Sequence, residues 1–250
     1  MILKIVKYRK GTKGKYKIEL ENCSSLNLYE EVILKYELLL KKEINDEELC
    51  VIEKANQEWD VYYVALTSIK YRFKSVYDTR EFLKKKEYPD ELIDKAIDKL
   101  VSQGYLNDRS FCKSYINNQI FTTNKGPNKI IRELQTKKIS SSIIEEEIKS
   151  FDKETQLEKI NKVATRLHKS NRNRGGAVLK KKIFNDLINL GYNSDLICSV
   201  LEKLDFSNDK DIAKKEYDKL YKRLSRKYSG NELEYKIKEK LYQKGLYYAD

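Results

Sequence analysis

The side chains with the clearest potential for chemistry in this chain are its cations. Lysine and arginine outnumber aspartate and glutamate by 51 to 39, which gives a formal net charge of +12. Cationic surface of this kind binds anionic partners such as nucleic acid, an acidic protein face or lipid. The excess is concentrated in four segments that contain no acidic residue: Val61 to Tyr77, Ser110 to Arg132, Lys159 to Lys182 and Lys219 to Asn231.

Ordinary helix electrostatics explains only part of this pattern. Cations near a helix C-terminus stabilise it by about 0.3–1 kcal/mol, which accounts for Arg72 and Arg226. Lys180 to Lys182 instead fall in the first turns of a predicted helix, where cations are mildly unfavourable. We therefore predict a binding role for a basic edge. Its predicted partner-binding and DNA-binding residues are Lys70, Arg72, Lys74, Arg109, Lys113, Lys125, Lys129, Arg132, Lys169, Arg172, Arg174, Lys180, Lys181 and Lys182.

Residues for catalysis are not arranged in any recognisable constellation. His168 is the only histidine, and we expect it to be a solvated helix residue. Gly11 to Lys15 lies in a predicted turn rather than in a phosphate-binding loop. The four cysteines form no C-x-x-C pair, so we expect reduced, mostly buried thiols. The sequence predicts no enzymatic activity, no metal and no cofactor.

The elements that carry the cations are predicted to be tandem helical repeats. An apolar spacing of +5, +9, +10, +14 and +17 begins at each of three anchors, Leu83, Leu134 and Leu187. A fourth anchor, Leu241, has Leu246 at +5 before the chain stops. Successive anchors are 51, 53 and 54 residues apart, and periods of this size are typical of repeat proteins.

The predicted fold is mainly α, an elongated stack of three full three-helix repeats and a partial fourth, with a small N-terminal β-hairpin. Each repeat has a long first helix, a basic connection, a short second helix and a third. In such a stack, equivalent connections fall along one surface. The predicted domains are residues 1–44 (hairpin plus helix), 45–105 (repeat 1), 106–151 (repeat 2), 152–205 (repeat 3) and 206–250 (partial repeat 4).

Local signals place several element boundaries. Residues 2–8 and 15–21 alternate apolar and polar side chains, which predicts the hairpin. A helix near residues 28–40 is expected to cover it. Asn45 followed by Glu48 predicts the start of a long helix through a capping box, and Asp78 is the next predicted N-cap. Gly104 suits the left-handed residue that follows a helix.

The chain resembles the RecX family of bacterial regulatory proteins. The segment Gly104, Tyr105, Leu106, Asn107 and Asp108, with Phe111 and Tyr115 on the next helix, is similar to the family's GYLND-type signature. Gly126, Ile131, Leu134 and Ile139 resemble a second block of the family, a helix that begins at a glycine and is followed by a K-G-I turn. Lys138 occupies the position of the family's glycine. The similarity covers residues 45–204 in three tandem three-helix repeats, and the hairpin and fourth unit resemble those of longer members.

This resemblance implies a function that composition alone does not. RecX-like proteins bind the filament that the RecA recombinase forms on single-stranded DNA, lie along its groove and restrain its ATPase and strand exchange. The resemblance therefore implies a cytoplasmic, non-enzymatic modulator of RecA, with weak or indirect contact to single-stranded DNA. We expect a monomer and no association with membranes.

Two other functions remain open at this level. The repeats resemble helix-turn-helix units, so the chain is alternatively a direct DNA-binding protein. Such a protein would bind DNA tightly and with a steep salt dependence when no recombinase is present. The third interpretation is a scaffold whose positive charge only keeps it in solution.

Overall fold

The fold is described by a computed structural model that covers residues 2–12, 14–171, 173–206 and 209–247. The chain divides into two compact units, and the division falls within one helix, between Phe111 and Cys112. Both units are built mainly from helices, and a small antiparallel sheet lies in the first. The predicted mainly α fold with tandem three-helix units is confirmed.

The first unit begins with the sheet and ends with the first three-helix repeat. Its elements are β1 (Ile2–Lys10), β2 (Lys15–Leu20), β3 (Ser25–Tyr29), α1 (Glu30–Lys35), α2 (Leu38–Lys41), β4 (Glu43–Asn45), α3 (Asp46–Tyr71), α4 (Val76–Lys84) and α5 (Asp90–Ser102). The strands pair antiparallel in the order β3-β2-β1-β4. The predicted hairpin is therefore confirmed as β1 and β2, but it belongs to a larger sheet.

The single helix expected near residues 28–40 is wrong. Leu28 and Tyr29 belong to β3, where Leu28 pairs with Tyr16. The helical residues that follow are split into α1 and α2 by Glu37, whose φ of 54° is left-handed and interrupts helical hydrogen bonding.

Helix α3 joins the sheet to the first repeat. The predicted capping box forms at its start: the Asn45 side chain accepts the Glu48 amide at 2.7 Å, and the Glu48 carboxylate accepts the Asn45 amide at 3.2 Å. Near its beginning Ile52 is buried in the core beneath the sheet. Further along, Val61 and Ala65 are buried against α4 and α5. One helix thus serves two adjacent cores.

The prediction that Asp78 caps α4 is wrong. The cap is Ser75, whose hydroxyl accepts the Asp78 amide at 3.0 Å, so Asp78 lies inside the first turn. Serine and aspartate are both strong capping residues, and they occur here three positions apart. The sequence alone does not decide between them.

Asp60 ties the sheet to the first repeat. Its carboxylate accepts hydrogen bonds from Lys15 of β2 at 2.6 Å, Tyr29 of β3 at 3.1 Å and Tyr88 before α5 at 2.9 Å. Burial alone would raise the pKa of Asp60, but the Lys15 ammonium and the two hydroxyls outweigh it and lower the pKa.

The second unit continues the repeat. Helix α6 spans the division, and the later elements are α7 to α13. Their bounds are α6 (Asp108–Thr122), α7 (Pro127–Thr136), α8 (Ser141–Glu147) with a 3₁₀ turn (Ile148–Ser150), α9 (Lys153–Ser170), α10 (Gly176–Asn189), α11 (Ser194–Leu201), α12 (Asp209–Leu224) and α13 (Gly230–Gln243).

The apolar spacing read from the sequence marks the core of every repeat. Each of the four anchors, from Leu83 to Leu241, is at most 1% exposed. At the offset of +10, Ile93, Ile144 and Ile197 are equally buried. The remaining offset positions are buried or half-buried. Burial of such a side chain contributes about 1.5–3 kcal/mol, so these positions define the repeat energetically.

A left-handed residue follows the second helix of every repeat, four positions after the anchor. These residues are Glu87 (φ 63°), Lys138 (φ 58°), Gly191 (φ 93°) and Gly245 (φ 71°). Lys138 therefore adopts the turn that the family's glycine would adopt. A side chain other than glycine costs about 1–2 kcal/mol in this conformation.

Successive repeats in the second unit meet through glycine backbone. The Gly126 amide donates to the Leu190 carbonyl at 2.7 Å, and a Cβ added at Gly126 would lie 2.6 Å from the Gly191 carbonyl. One repeat later, the Gly175 amide donates to the Lys244 carbonyl at 2.9 Å. A Cβ there would lie 2.1 Å from the Gly245 oxygen. The connection of one repeat thus packs on the turn of the next in the same way twice.

Candidate partner-binding surface

A connection joins the first and second helix of each of the four repeats, and predicted cations lie on or beside the first three; Arg109 and Lys113 instead lie near the start of α6. These connections are residues 72–75, 123–126, 171–175 and 225–229. In the second unit, the repeated glycine contacts fix the connections of repeats 2 and 3 against the following repeat. The backbone of these two connections is therefore held in the same way in both repeats.

The first connection presents two exposed cations and one that is partly sequestered. Lys70 and Arg72 are exposed. Lys74 is half-buried, with its ammonium 3.8 Å from the centre of the Phe82 ring. Burial lowers the pKa of Lys74. Lys74 therefore stabilises the connection, whereas Lys70 and Arg72 are free to face an anion.

The GYLND-type signature supports this first connection. Gly104 has a left-handed φ of 76°, and the Leu106 amide donates to the Leu100 carbonyl at 3.1 Å, which closes α5. The Asp108 carboxylate accepts the Val76 amide at 2.9 Å at the start of α4. The Phe111 ring stacks on Phe73 within the connection, with centroids 5.7 Å apart.

The two tyrosines of the signature differ in exposure and contacts. Tyr105 is half exposed. Tyr115 donates a hydrogen bond to Glu133 at 2.8 Å, so it braces the second repeat. Through these contacts the signature closes α5, holds the start of α4 and braces the second repeat.

The charge of the second connection is partly neutralised by Glu133, the acidic residue that directly follows the acid-free segment Ser110 to Arg132. Lys125 forms an ion pair with Glu133 at 2.7 Å. Burial opposes ionisation of Glu133, but hydrogen bonds from Lys125 and Tyr115 outweigh it and lower the pKa of Glu133. Lys129 is half-buried, while Arg109, Lys113 and Arg132 are exposed.

The third repeat has three exposed cations among the described predicted residues, as many as the second. Lys169, Lys180 and Lys181 are exposed, and Arg174 is half-buried. Lys182 is paired with Asp186 at 2.7 Å, one helical turn away. The predicted site residue Arg172 lies outside the described residues.

The basic residues Lys162 and Arg166 were missing from the predicted site. Both are exposed on α9, and together with Asn161, Thr165 and Lys169 they line an open groove. Their spacing of four residues puts them on one helix face, so helical periodicity was the signal that could have identified them.

His168 differs from the solvated residue that we expected. It is half-buried, its Nε2 atom lies 2.9 Å from the Asp205 carbonyl oxygen, and its ring packs edge-on against Phe206. It borders a cavity of about 800 Å³ that is also lined by Arg174 and Glu216. The described neighbours of His168 therefore give it a structural role in joining α9 to the segment before α12.

Three further observations concern chemistry and environment. The expectation of mostly buried thiols is wrong, because Cys23, Cys50 and Cys198 are exposed and Cys112 alone of the four is buried. Within the described ranges, no cluster of three or more histidine, cysteine, aspartate or glutamate side chains is suited to a metal ion. Of the helices that the structure describes, none combines the length and apolar character needed to cross a bilayer.

The fold and the surface define a class of protein with tandem three-helix units and cationic connections. Family models agree with this class. The model of the first three-helix domain of RecX matches residues 62–100, and the model of the second three-helix domain matches residues 107–147.

Similar proteins span nearly the whole chain. The regulatory protein RecX of Listeria monocytogenes serotype 4a (strain HCC23) is 30% identical over 247 residues, which cover 97% of this chain and 91% of that protein. RecX of Streptococcus sanguinis (strain SK36) is 30% identical over 253 residues, which cover 99% and 96%. The chain belongs to the RecX family of regulatory proteins.

Solved structures show the same fold. A crystal structure of a regulatory protein RecX has a TM-score of 0.72 and 26% identity, and the match covers 80% of this chain and 100% of that one. The crystal structure of RecX from Lactobacillus salivarius has a TM-score of 0.57 and 24% identity over 60% of this chain and 98% of that one.

Proposed function

We propose that this protein is a non-enzymatic regulator of a RecA-type recombinase. In this proposal it binds in the groove of the recombinase filament on single-stranded DNA and restrains ATP hydrolysis and strand exchange. It acts in the cytoplasm as a monomer. The observation that carries the proposal is the recurrence of one cation-bearing connection in successive repeats of a protein that belongs to a regulatory family.

A repeating cationic protein is suited to a repeating anionic partner. A filament presents the same protomer surface many times and carries a continuous phosphate backbone, which attracts lysine and arginine. Arg72 in repeat 1 and Lys180 and Lys181 in repeat 3 are exposed and can face such a partner without first breaking a contact described above. Lys125 and Lys182 already have acidic partners and are expected to contribute less.

In this proposal each predicted repeat domain is one contact module. Residues 45–105, 106–151, 152–205 and 206–250 each supply one connection, and residues 1–44 brace the first module through Asp60. Several modules on one chain engage neighbouring protomers together, which raises the affinity beyond that of any single connection.

The experiment that tests the proposal follows ATP hydrolysis by recombinase filaments formed beforehand on single-stranded DNA. Increasing amounts of the protein should lower the rate progressively. An unchanged rate over the whole range of stoichiometry would contradict the proposal. Hydrolysis by the protein alone, measured in the same assay, would contradict its non-enzymatic part.

The second candidate function is direct DNA binding without the recombinase. It is favoured by the exposed Lys180 and Lys181 on α10, a second helix that is followed by a short third helix, as in helix-turn-helix units. This function requires tight, salt-sensitive binding to a duplex. The two candidates are separated by comparing duplex binding with filament binding at 150 mM salt, a condition under which surface electrostatics are strongly screened.

A further inference from the structure

Cationic and aromatic side chains alternate over five consecutive residues, Lys70 to Lys74, from the end of α3 into the first connection. Tyr71, the last residue of α3, is 89% exposed, and Phe73 is 50% exposed. A large aromatic side chain gains little by remaining in water, because its main contribution to stability comes from burial. Exposed rings between cations therefore point to a partner.

The backbone of this connection is well anchored. Arg72 is extended, with φ −150° and ψ 123°. Lys74 lies over the Phe82 ring and Phe73 stacks on Phe111. The two anchored residues hold the segment in place, whereas Tyr71 and Arg72 remain exposed. A rigid support of this kind reduces the entropy lost when the two exposed side chains bind a ligand.

The surrounding charge selects the kind of partner. The chain has no acidic residue from Val61 to Tyr77, and Lys70 and Arg72 flank the Tyr71 ring in sequence. The nearby carboxylates are Asp78, whose charge acts on Lys74, and Asp108, which accepts the Val76 amide. Single-stranded nucleic acids are bound by this combination, in which cations contact the phosphates and aromatic rings stack on the bases. A duplex keeps its bases stacked on one another and offers no free base to the ring.

The second repeat has a similar ring at a corresponding place. Phe121 lies in the last turn of α6 and is 86% exposed. It also falls within an acid-free segment, from Ser110 to Arg132. Each of the two units therefore has its own exposed ring at the end of the first helix of a repeat.

We propose that Tyr71 stacks on a base of single-stranded DNA while Arg72 contacts a neighbouring phosphate, and that Phe121 is a second stacking residue. This inference deepens the proposed function, on which it rests for its setting, by naming the residues that contact bases rather than phosphates. The selected ligand is single-stranded DNA, and the selectivity over a duplex comes from the ring.

The test measures binding of the full-length protein to two fluorescent oligonucleotides by anisotropy. One is an oligothymidine, and the other is an abasic strand with the same number of phosphates. Tyr71→Ala should weaken binding to the oligothymidine about tenfold and leave binding to the abasic strand unchanged. Tyr71→Phe keeps the ring and should bind both strands as the unaltered protein does.

Arg72→Gln serves as the matched comparison for charge. It should weaken binding to both strands, and it should reduce the slope of log affinity against log salt by about 0.7. Tyr71→Ala should leave this slope unchanged, because it removes no cation. Phe121→Ala should repeat the base-dependent loss of Tyr71→Ala.

Two results would overturn the inference. One is that Tyr71→Ala binds the oligothymidine as well as the unaltered protein does; the other is that it weakens both strands equally. If Tyr71→Ala instead binds DNA normally but no longer slows filament ATP hydrolysis, Tyr71 contacts the recombinase, and the proposed function survives without the inference. If Tyr71→Ala loses affinity only for the oligothymidine and the unaltered protein has no effect on filament ATP hydrolysis, the inference survives and the proposed function fails.

Discussion

The carboxylate of Asp108 accepts a hydrogen bond from the backbone amide of Val76 at 2.9 Å. Val76 is the first residue of α4, and its amide has no partner within that helix. The start of the second repeat thus caps the second helix of the first, directly after the connection that carries Arg72. Asp108 of the signature therefore supports the proposed binding surface by capping the helix that follows it.

Replacing Asp108 tests this arrangement. Asp108→Ala leaves the Val76 amide without its acceptor and should lower the free energy of unfolding by about 1–2 kcal/mol. Burial raises the pKa of Asp108, so the protein disfavours its charge. Asp108→Asn keeps an acceptor without that charge and should be at least as stable as the unaltered protein. Thermal unfolding and amide hydrogen exchange at Val76 measure both effects, and equal stability of the two variants would contradict the cap.

Lys138→Gly should stabilise the second repeat. Lys138 has a φ of 58°, which glycine adopts without steric cost, and the gain should be about 1 kcal/mol after the loss of backbone entropy. Glu87→Gly, at the equivalent position with φ 63°, is the matched variant in repeat 1. Calorimetry measures the shift in Tm. A lower Tm for both variants would show that the lysine and glutamate side chains make contacts worth more than the strain.

Gly126→Ala should have the opposite effect, because its new Cβ would meet the Gly191 carbonyl carbon and oxygen at 2.6 Å. Neither backbone can move aside without disturbing a helix end, so we expect a loss of about 1–3 kcal/mol. Gly175→Ala, which approaches Gly245 in the same way, should cost a similar amount. Guanidinium unfolding followed by circular dichroism gives the two values, and a loss below about 0.5 kcal/mol at both sites would disprove tight packing between these repeats.

The lowered pKa of Asp60 predicts how the free energy of unfolding of the first unit changes at acidic pH. Its pKa is lowered from the ordinary value of 3.8, so its stabilising contribution is present above that value and is lost as the pH falls through the folded-state pKa. Asp60→Asn should flatten the dependence of unfolding free energy on pH below the ordinary value of 3.8. Tyr88→Phe removes one of the three hydrogen-bond donors and should give an intermediate slope.

Trp59 provides the measurement for this prediction. It is the chain's only tryptophan, it precedes Asp60, and it packs at the junction of the sheet with the first repeat. Its fluorescence during urea unfolding therefore reports the first unit. An acid slope in Asp60→Asn equal to that of the unaltered protein would show that Asp60 is not the titrating group.

How much the sequence predicts depends on how far apart the interacting residues lie. The apolar offsets and the Asn45 capping box are local patterns, so the repeats and the start of α3 were predicted correctly. The Lys125 ion pair joins the second connection to a residue of α7 eight positions later, and counting acids up to Arg132 missed Glu133. Contacts such as Asp108 with Val76 or Gly126 with Gly191 join distant positions and depend on tertiary packing.

The binding role of the cations stays a prediction, because their exposure is compatible with a solvated surface as well. The structure separates them into two groups that the sequence could not distinguish. Lys125 and Lys182 are paired with acids, whereas Arg72, Lys180 and Lys181 are exposed. This separation makes the prediction more specific about which residues to change.

The most direct measurement compares two triple variants in the filament ATPase assay. Arg174, Lys180 and Lys181 are changed to Gln in one variant. In the control, the exposed Lys149, Lys153 and Lys203 are changed to Gln, which removes the same charge elsewhere in the second unit. We predict that the first variant requires about tenfold more protein for half-maximal slowing of ATP hydrolysis, while the control matches the unaltered protein. Equal potency of all three proteins, or an equal loss in both variants, would contradict a binding surface at the connections.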